Sequence, residues 1–350
     1  MKEIKFYPVK KRKEKPLNPP NFGTMFSDYM FIMDYDSDLG WHNYRIEEYH
    51  DISLSPAAAC LHYGQTVFEG LKVIKVDDKQ VLFRPLDNFK RLNNSALRMG
   101  MPSIDSDFLV EALITLLQKE GLYWYYDVPN FNIYIRPVYF ATDPLIDLIV
   151  ARKYTLIIFL APCAPYLENA KVNLLVETNL SRVARKGTGE VKNGGNYGGA
   201  FYASKMAKDN GYSEVLWLDP IENKYIEEAG GMNIFFIINN KIVTPALNGS
   251  ILPGITRDSI IKIVPLFNME VEERDISIDE LVKAYQNKEI NEVFITGTAA
   301  SVKPVDSITY QDLTMNFNYH KNSTWLKLYN YLEDLKQGKI KDVYNFLVKV

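Results

Sequence analysis

The chain has 350 residues, of which 47% are hydrophobic and 24% are charged. This length and composition fit a globular protein of about two domains with a sizeable core, and they exclude a chain that is disordered throughout. The formal net charge of −3 argues against broad nucleic-acid binding, which needs a basic surface. No run of about 18 apolar residues is present, so the sequence predicts no membrane span.

Two cysteines and four histidines limit the redox and metal chemistry that the chain can support. Cys60 and Cys163 are too few for a disulfide framework or a paired-cysteine metal site. The histidines form no HExxH or HxxxH pair, so we expect no metal ion. The cysteine usage indicates a reducing compartment, and we expect a cytoplasmic protein.

The first third of the chain begins with a basic segment. Residues 1–16 are rich in Lys and Arg and lack the apolar stretch of a signal peptide, so we expect a solvated arm. Residues 17–55, rich in Pro, Asp and aromatic residues, predict loops and short strands. Residues 63–76 alternate sufficiently to predict a pair of strands.

Two helices and two strands follow in the predicted order. Apolar residues recur at helical spacing over 86–99 and again from 108 to 117, with Gly121 closing the second helix. Arg91 lies on the polar side of the first helix and is expected to be exposed. Residues 131–141 predict a strand in which Tyr134 and Arg136 share one face, and 154–160 predict a buried strand. The turn-like stretch 161–169 contains the expected domain boundary.

The second half alternates strands with helices. Strands are predicted at 173–177, 214–218, 232–238 and 292–296. A helix is predicted at 198–209, with Gly211 just after it. Another helix is predicted to begin at Thr256, whose hydroxyl suits an N-cap.

The most unusual segment is 186–199, where six of fourteen residues are glycine. This density indicates close backbone approach or positive φ, because glycine otherwise costs conformational entropy. Lys192 lies in the middle of the segment, and Tyr197 follows five residues later. A lysine on such a turn is a candidate amine nucleophile toward a carbonyl. A surface loop with an ordinary solvated lysine fits the same spacing, so both interpretations stay open.

Three further segments carry candidate chemistry. Glu227 and Glu228 precede small residues and an apolar strand, so a buried glutamate could hold a heterocyclic nitrogen protonated. A hairpin with two solvated glutamates fits equally well. Segments 254–257 and 296–300 offer backbone N–H groups to a phosphate, although ordinary caps and turns have the same appearance. The chain lacks a Walker A loop and a dinucleotide-binding fingerprint, which argues against a Rossmann-type dehydrogenase.

A series of motifs resembles those of the branched-chain amino acid aminotransferases, pyridoxal-phosphate enzymes of fold type IV. In chain order they lie at residues 62–65, 67–70, 83–85 with Arg91, 134–137, 187–197, 228–233, 248–249, 252–254 and 297–299. They span nearly the whole chain. Each motif is modest alone, but their order and spacing make the resemblance specific.

The resemblance implies a role for each matching residue. Lys192 matches the lysine that forms the internal aldimine with pyridoxal 5'-phosphate and carries the proton during turnover. Glu228 matches the carboxylate facing the pyridine nitrogen, and Tyr197 the tyrosine beside the phenolic oxygen. The other implied cofactor-binding positions are Arg91, Arg182, Ile255, Thr256 and Thr298. The implied substrate-binding positions are Tyr63, Phe68, Tyr134, Arg136, Thr298 and Ala299.

The resemblance also implies a fold and a reaction. The fold is α/β of the α+β type, with a small N-terminal domain at 1–162, an interdomain loop at 163–172 and a larger cofactor-binding domain with a barrel-like core at 173–350. The reaction is reversible amino transfer between L-leucine, L-isoleucine or L-valine and 2-oxoglutarate. It takes place in a homodimer, in which residues near Ile146 and Leu148 reach the neighbouring subunit's site.

Two alternatives remain at this point. A D-amino acid aminotransferase or an aminodeoxychorismate lyase shares the fold and cofactor, although such relatives are usually shorter. A non-catalytic binding protein of this fold would have a damaged lysine or glutamate, whereas Lys192 and Glu228 are both present.

Overall fold

The structure is a computed structural model that describes residues 3–129, 131–164 and 171–350. In the first half the elements are β1 (Lys5–Phe6), β2 (Tyr29–Asp36), β3 (Gly40–Glu48), α1 (Ala59–Tyr63), β4 (Thr66–Phe68), β5 (Leu71–Val76), β6 (Lys79–Phe83), α2 (Pro85–Arg98), α3 (Ser106–Glu120), β7 (Asn132–Ala141) and β8 (Lys153–Cys163).

In the second half they are β9 (Asn173–Glu177), α4 (Gly195–Gly198), α5 (Phe201–Asp209), β10 (Glu214–Leu218), β11 (Ile226–Ala229), β12 (Asn233–Ile238), β13 (Lys241–Thr244), α6 (Ile255–Ile263), a 3₁₀ helix (Val264–Phe267), β14 (Val271–Glu273), α7 (Ile278–Gln286), β15 (Ile290–Gly297), β16 (Ser301–Pro304), β17 (Ser307–Tyr310), β18 (Leu313–Asn316), α8 (Thr324–Lys336) and β19 (Leu347–Lys349).

The chain divides into two compact units. The first contains residues 1–166, 192–195 and 335–350, and the second contains 167–191 and 196–334. Sequence reasoning assigned 192–195 and 335–350 to the C-terminal domain, whereas they group here with the N-terminal part. Residues 165–170 of the expected interdomain loop lie outside the described residues.

The first unit is built on a nine-stranded sheet with the order β1-β3-β2-β8-β7-β5-β6-β19, and β4 pairs with β7. Helix α3 packs its apolar side into the core of this unit, where Leu109, Leu113 and Leu116 are fully buried. Asp105 caps the helix by accepting from two backbone N–H groups, and Gly121 follows its last residue at φ 65°. This agrees with the predicted second helix.

The second unit contains two five-stranded sheets, with the orders β11-β10-β9-β17-β18 and β14-β13-β12-β15-β16. Strand β12 is buried along its whole length, as its unbroken apolar sequence requires. Each of these sheets has an open strand order in the part of the chain that the structure describes, so the mixed α/β architecture is confirmed without a closed barrel.

The sequence predicts most of these elements but misplaces three features. The predicted strands and both early helices agree with the observed ones within a few residues. The predicted loops at 17–55 instead include the long paired strands β2 and β3. Gly254, not Thr256, is the N-cap of α6, which begins one residue before the predicted start. The predicted helix at 198–209 is split into α4 and α5.

The basic N-terminal segment is docked rather than solvated, which corrects the expectation. Its strand β1 pairs in parallel with β3. The backbone N–H of Lys13 donates to Asp28 Oδ1 at 2.7 Å, and the ammonium of Lys13 lies 4.6 Å from the ring centre of Tyr49. Lys15 donates to the carbonyl of Tyr125 at 2.5 Å. These contacts join residues that are far apart in sequence, which local patterning does not reveal.

Searches for membrane and metal features gave two limited findings. Within the described residues, no helix is both long and apolar enough to cross a bilayer. Over the same residues, no group of three or more His, Cys, Asp or Glu side chains is arranged to hold a metal ion.

Candidate active site

Lys192 belongs to the first unit because its segment is hydrogen-bonded there. Its backbone N–H donates to Ser95 Oγ at 2.9 Å, and its carbonyl accepts from the N–H of Phe68 at 3.1 Å. The side chain of Asn193 donates to the carbonyls of Gly64 and Thr66 at 3.0 and 3.1 Å. The glycine-rich segment is therefore a pinned turn around a half-buried lysine, not a solvated loop.

Close backbone approach explains one of the glycines beside the lysine. A Cβ on Gly194 would lie 2.7 Å from Thr66 Cγ2, closer than real Cβ contacts allow. The N–H of the same residue donates to the carbonyl of Thr66 at 3.1 Å. A side chain at this position would push the turn away from β4, so glycine is what lets Lys192 sit where it does.

Phe68 is the common neighbour of the polar groups around Lys192. The Lys192 ammonium lies 5.0 Å from the ring centre of Phe68, and the guanidinium carbon of Arg136 lies 4.7 Å from it. Arg136 donates to the hydroxyl of Tyr134 at 3.1 Å, which confirms that these two residues share a face of β7. An amine, a guanidinium and a phenol are thus gathered around one aromatic ring.

Arg91 is buried and paired, contrary to the expectation of an exposed position. It is 8% exposed and makes a two-pronged contact with Glu69, which is fully buried. Arg91 Nε donates to Glu69 Oε1 at 2.7 Å and Nη2 donates to Oε2 at 2.9 Å. Glu69 received no role from sequence reasoning. A carboxylate beside a glycine in an apolar strand segment is the signal that could have identified it.

In the second unit, both carboxyls of β11 are buried, which rules out a hairpin with solvated glutamates. Glu227 is 1% exposed and Glu228 is 2% exposed. Arg182 Nη2 lies 2.8 Å from Glu228 Oε2, and Asn233 Nδ2 donates to Glu228 Oε1 at 3.3 Å. Asn233, also missed from the sequence, fixes the second carboxylate oxygen. Glu228 is therefore oriented by a cation and an amide.

Gly254 and Asn233 together shape the start of α6. Asn233 Nδ2 also donates to the carbonyl of Leu252 at 3.0 Å. A Cβ on Gly254 would lie 2.0 Å from Asn233 Oδ1, so this position excludes any side chain. Ile255 and Thr256 form the first turn of α6, where the helix dipole favours an anion.

The remaining predicted positions of the second unit lie in turns next to its strands. Tyr197 is half-buried in α4, and a Cβ on Gly231 would lie 3.9 Å from its ring. Thr298 and Ala299 follow β15 directly and are half-buried. In the first unit, Tyr63 ends α1 and is 40% exposed.

Comparison with known proteins identifies the family. The profile of the class IV amino-transferases matches residues 66–308. The chain belongs to the class IV aminotransferases. A probable branched-chain-amino-acid aminotransferase of Staphylococcus epidermidis is 44% identical over 99% of this chain and 98% of its own length. Branched-chain-amino-acid aminotransferase 2 of Bacillus subtilis is 42% identical over 96% of this chain and 94% of its own.

A solved structure extends the match to the three-dimensional fold. The branched-chain amino acid aminotransferase of T.th., complexed with N-(5'-phosphopyridoxyl)-L-glutamate, superposes with a TM-score of 0.73. It is 25% identical and covers 90% of this chain and 97% of its own. The expected family and fold type are thereby confirmed, and pyridoxal phosphate is the cofactor of this aminotransferase.

The donor set around Glu228 fits that cofactor. Arg182 Nε and Thr296 Oγ1 are buried without a hydrogen-bond partner among the described residues. Thr296 pairs in register with Asn233, the residue that donates to Glu228. A buried carboxylate flanked by two unsatisfied donors suits a group that has both a basic ring nitrogen and anionic oxygens.

Proposed function

We propose that this aminotransferase moves the amino group reversibly between L-leucine, L-isoleucine or L-valine and 2-oxoglutarate. The contact of Lys192 and Arg136 with the ring of Phe68 is the observation that carries the proposal. It places an amine beside an apolar ring and a cation, which is what an aliphatic amino acid and a dicarboxylic acid need in turn. The names of the relatives and the phosphopyridoxyl-glutamate complex support the same substrates.

Each proposed residue contributes binding or proton transfer. Bound pyridoxal phosphate supplies an electron sink and accepts the amino group. Lys192 Nζ takes the proton from the substrate's Cα and returns it in the reverse direction. Glu228, held by Arg182, would keep the ring nitrogen protonated, and Tyr197 would hold the phenolic oxygen. Arg91, Ile255, Thr256 and Thr298 would hold the phosphate, using a guanidinium and helix or turn donors.

The substrate side divides between apolar and polar groups. Phe68 and Tyr63 would face the aliphatic side chain, and burial of apolar surface supplies that affinity. Arg136, with the hydroxyl of Tyr134, would bind the second carboxylate of 2-oxoglutarate. The turn of Thr298 and Ala299 would receive the carboxylate on Cα through backbone N–H groups.

The visible absorption spectrum of the purified protein tests this function. We expect a yellow band that bleaches on addition of L-leucine and does not respond to D-alanine. A response to D-alanine alone would assign the D-amino acid aminotransferase reaction instead. Lys192→Ala should abolish both the band and turnover, because it removes the amine that binds the cofactor and moves the proton. Normal turnover in that variant would refute the assignment.

We further propose a homodimer in the cytoplasm. An apolar stretch of the first unit is exposed in the single chain, with Ile146 at 68% and Leu148 at 84%. Contact with a second copy would remove this surface from water. Cys60 and Cys163 are both unpaired thiols, as in a reducing compartment. Light scattering of the wild type and of Leu148→Glu tests the dimer, because a charge there should shift the mass toward the monomer.

A further inference from the structure

The two adjacent carboxyls of β11 have different partners. Successive side chains of a strand point to opposite faces, so Glu227 and Glu228 meet different surroundings. Arg182 pairs with Glu228 at 2.8 Å. Among the described residues, no cation lies within ion-pair distance of Glu227. A buried carboxylate without a paired cation is costly, so the chemistry of Glu227 has to be explained separately.

The protons available at Glu227 can be counted. Ser250 Oγ lies within hydrogen-bond distance of Glu227 Oε1 and 2.6 Å from Asn248 Oδ1. The backbone N–H of Ser250 donates to Asn248 Oδ1 at 3.0 Å, which identifies that atom as the amide oxygen. Three oxygen atoms therefore lie in a row, and the serine hydroxyl has one proton to share between two contacts. A second proton must come from Glu227.

We propose that Glu227 is a protonated positioning residue, which donates to Ser250 Oγ while Ser250 donates to Asn248, so that Glu228 carries the only negative charge of the pair. The positioning role rests on the proposed function, in which Glu228 serves the cofactor. The protonation itself does not depend on that function.

The surroundings of Glu227 agree with a neutral carboxyl. Burial raises the pKa of Glu227, and the negative charge of Glu228 raises it further. The contacts with Ser250 and Asn248 and the charge of Arg182 act in the opposite direction, but the net shift is upward. Lys186 and Glu190 lie beside Gly249 in the neighbouring loop and complete the charged groups near this site.

Ser250 is the junction through which Glu227 acts. The carbonyl of Ser250 accepts from Arg182 Nη2, the same nitrogen that pairs with Glu228. A Cβ on Gly189 would lie 2.5 Å from this carbonyl oxygen, so the glycine-rich segment packs directly on Ser250. If Ser250 moves, Arg182 loses an anchor and Glu228 loses its orientation.

Infrared spectroscopy and three variants test the proposal. The protonated-carboxyl band of the wild type at pH 7 should lose intensity in Glu227→Gln and stay unchanged in the exposed control Glu222→Gln. Glutamine can still donate to Ser250 Oγ, so Glu227→Gln should bind pyridoxal phosphate within about twofold of the wild type. Glu227→Ala and Ser250→Ala should bind it at least about tenfold more weakly.

The outcomes separate this inference from the proposed function. If Glu227→Gln removes no protonated-carboxyl band, and if it weakens cofactor binding as much as Glu227→Ala, Glu227 is ionised and the inference is overturned. The infrared band and the cofactor titration need no turnover. A protein that shows both expected results but does not act on L-leucine therefore keeps the inference and loses the proposed substrates. If Glu227→Ala does not fold, the comparison of Glu227→Gln with Ser250→Ala decides.

Discussion

The docked N-terminal segment rests on two buried carboxyls, and one of them should make stability depend on pH. Asp28 and Glu120 are each 1% exposed. Arg12 Nη1 lies 3.8 Å from Asp28 and 3.7 Å from Glu120, so one partly exposed cation serves both. Burial raises the pKa of Glu120 to about 7, against an ordinary value of 4.5, and the nearby Asp28 contributes in the same direction.

The sign and size of the effect follow from this shift. Because the folded pKa is raised, the folded state holds the proton more tightly, and stability falls as pH rises from about 4.5 to about 7. At 1.36 kcal/mol per pKa unit, the loss is about 3 kcal/mol. Glu120→Gln keeps an acceptor for the N–H of Tyr29, which now donates to Glu120 at 3.0 Å, but it cannot ionise. The variant should therefore lack this loss.

Denaturant unfolding at pH 5 and pH 8, followed by tryptophan fluorescence, measures the difference. Trp124 is a local reporter, since its indole N–H donates to Asp28 at 3.0 Å. We expect Glu120→Gln to match the wild type at pH 5 and to exceed it by about 3 kcal/mol at pH 8. Glu111→Gln, at an exposed position on the same helix, is the control and should follow the wild type. Equal pH dependence in the wild type and Glu120→Gln would refute the reasoning.

Three more substitutions test the groups near Lys192. Arg136→Ala should raise the KM for 2-oxoglutarate about tenfold and change that for leucine less, because it removes a charged donor; equal changes in steady-state kinetics would contradict this. Gly70→Ala should raise the same KM and destabilise by about 1–3 kcal/mol, since its Cβ would lie 2.0 Å from the Tyr134 hydroxyl; an unchanged KM and Tm would argue against it. Glu69→Ala should cost about 3–5 kcal/mol in denaturant unfolding by removing the carboxylate partner of buried Arg91, and a cost below about 1 kcal/mol would contradict the pairing.

Local periodicity predicts what local geometry determines. The shared face of Tyr134 and Arg136 follows from the two-residue repeat of a strand, and their 3.1 Å hydrogen bond agrees with it. The second helix was predicted from its apolar spacing and its terminal Gly121 for the same reason. Both features depend on residues within one element, which a single sequence displays directly.

Long-range pairing explains what the sequence does not predict. Arg91 lies among polar residues of α2, and its burial depends on Glu69, 22 residues away. The basic arm resembles a solvated segment until Asp28 and Glu120 are brought beneath it, the latter from 108 residues along the chain. At α6 the expected Thr256 cap is replaced by Gly254, because Asn233 occupies the space that a side chain there would need.

One physical rule connects the buried carboxyls of both units. Glu69 and Glu228 each have a largely buried guanidinium within 2.8 Å, and a close cation stabilises a carboxylate against the cost of burial. Glu120 shares a cation at 3.7 Å with Asp28, and Glu227 has none in the described part of the chain at ion-pair distance. Burial raises the pKa of both these carboxyls. The distance to the nearest guanidinium therefore separates carboxyls that serve as charges from those that serve as hydrogen-bond donors, and Glu227 and Glu228 show both within one strand.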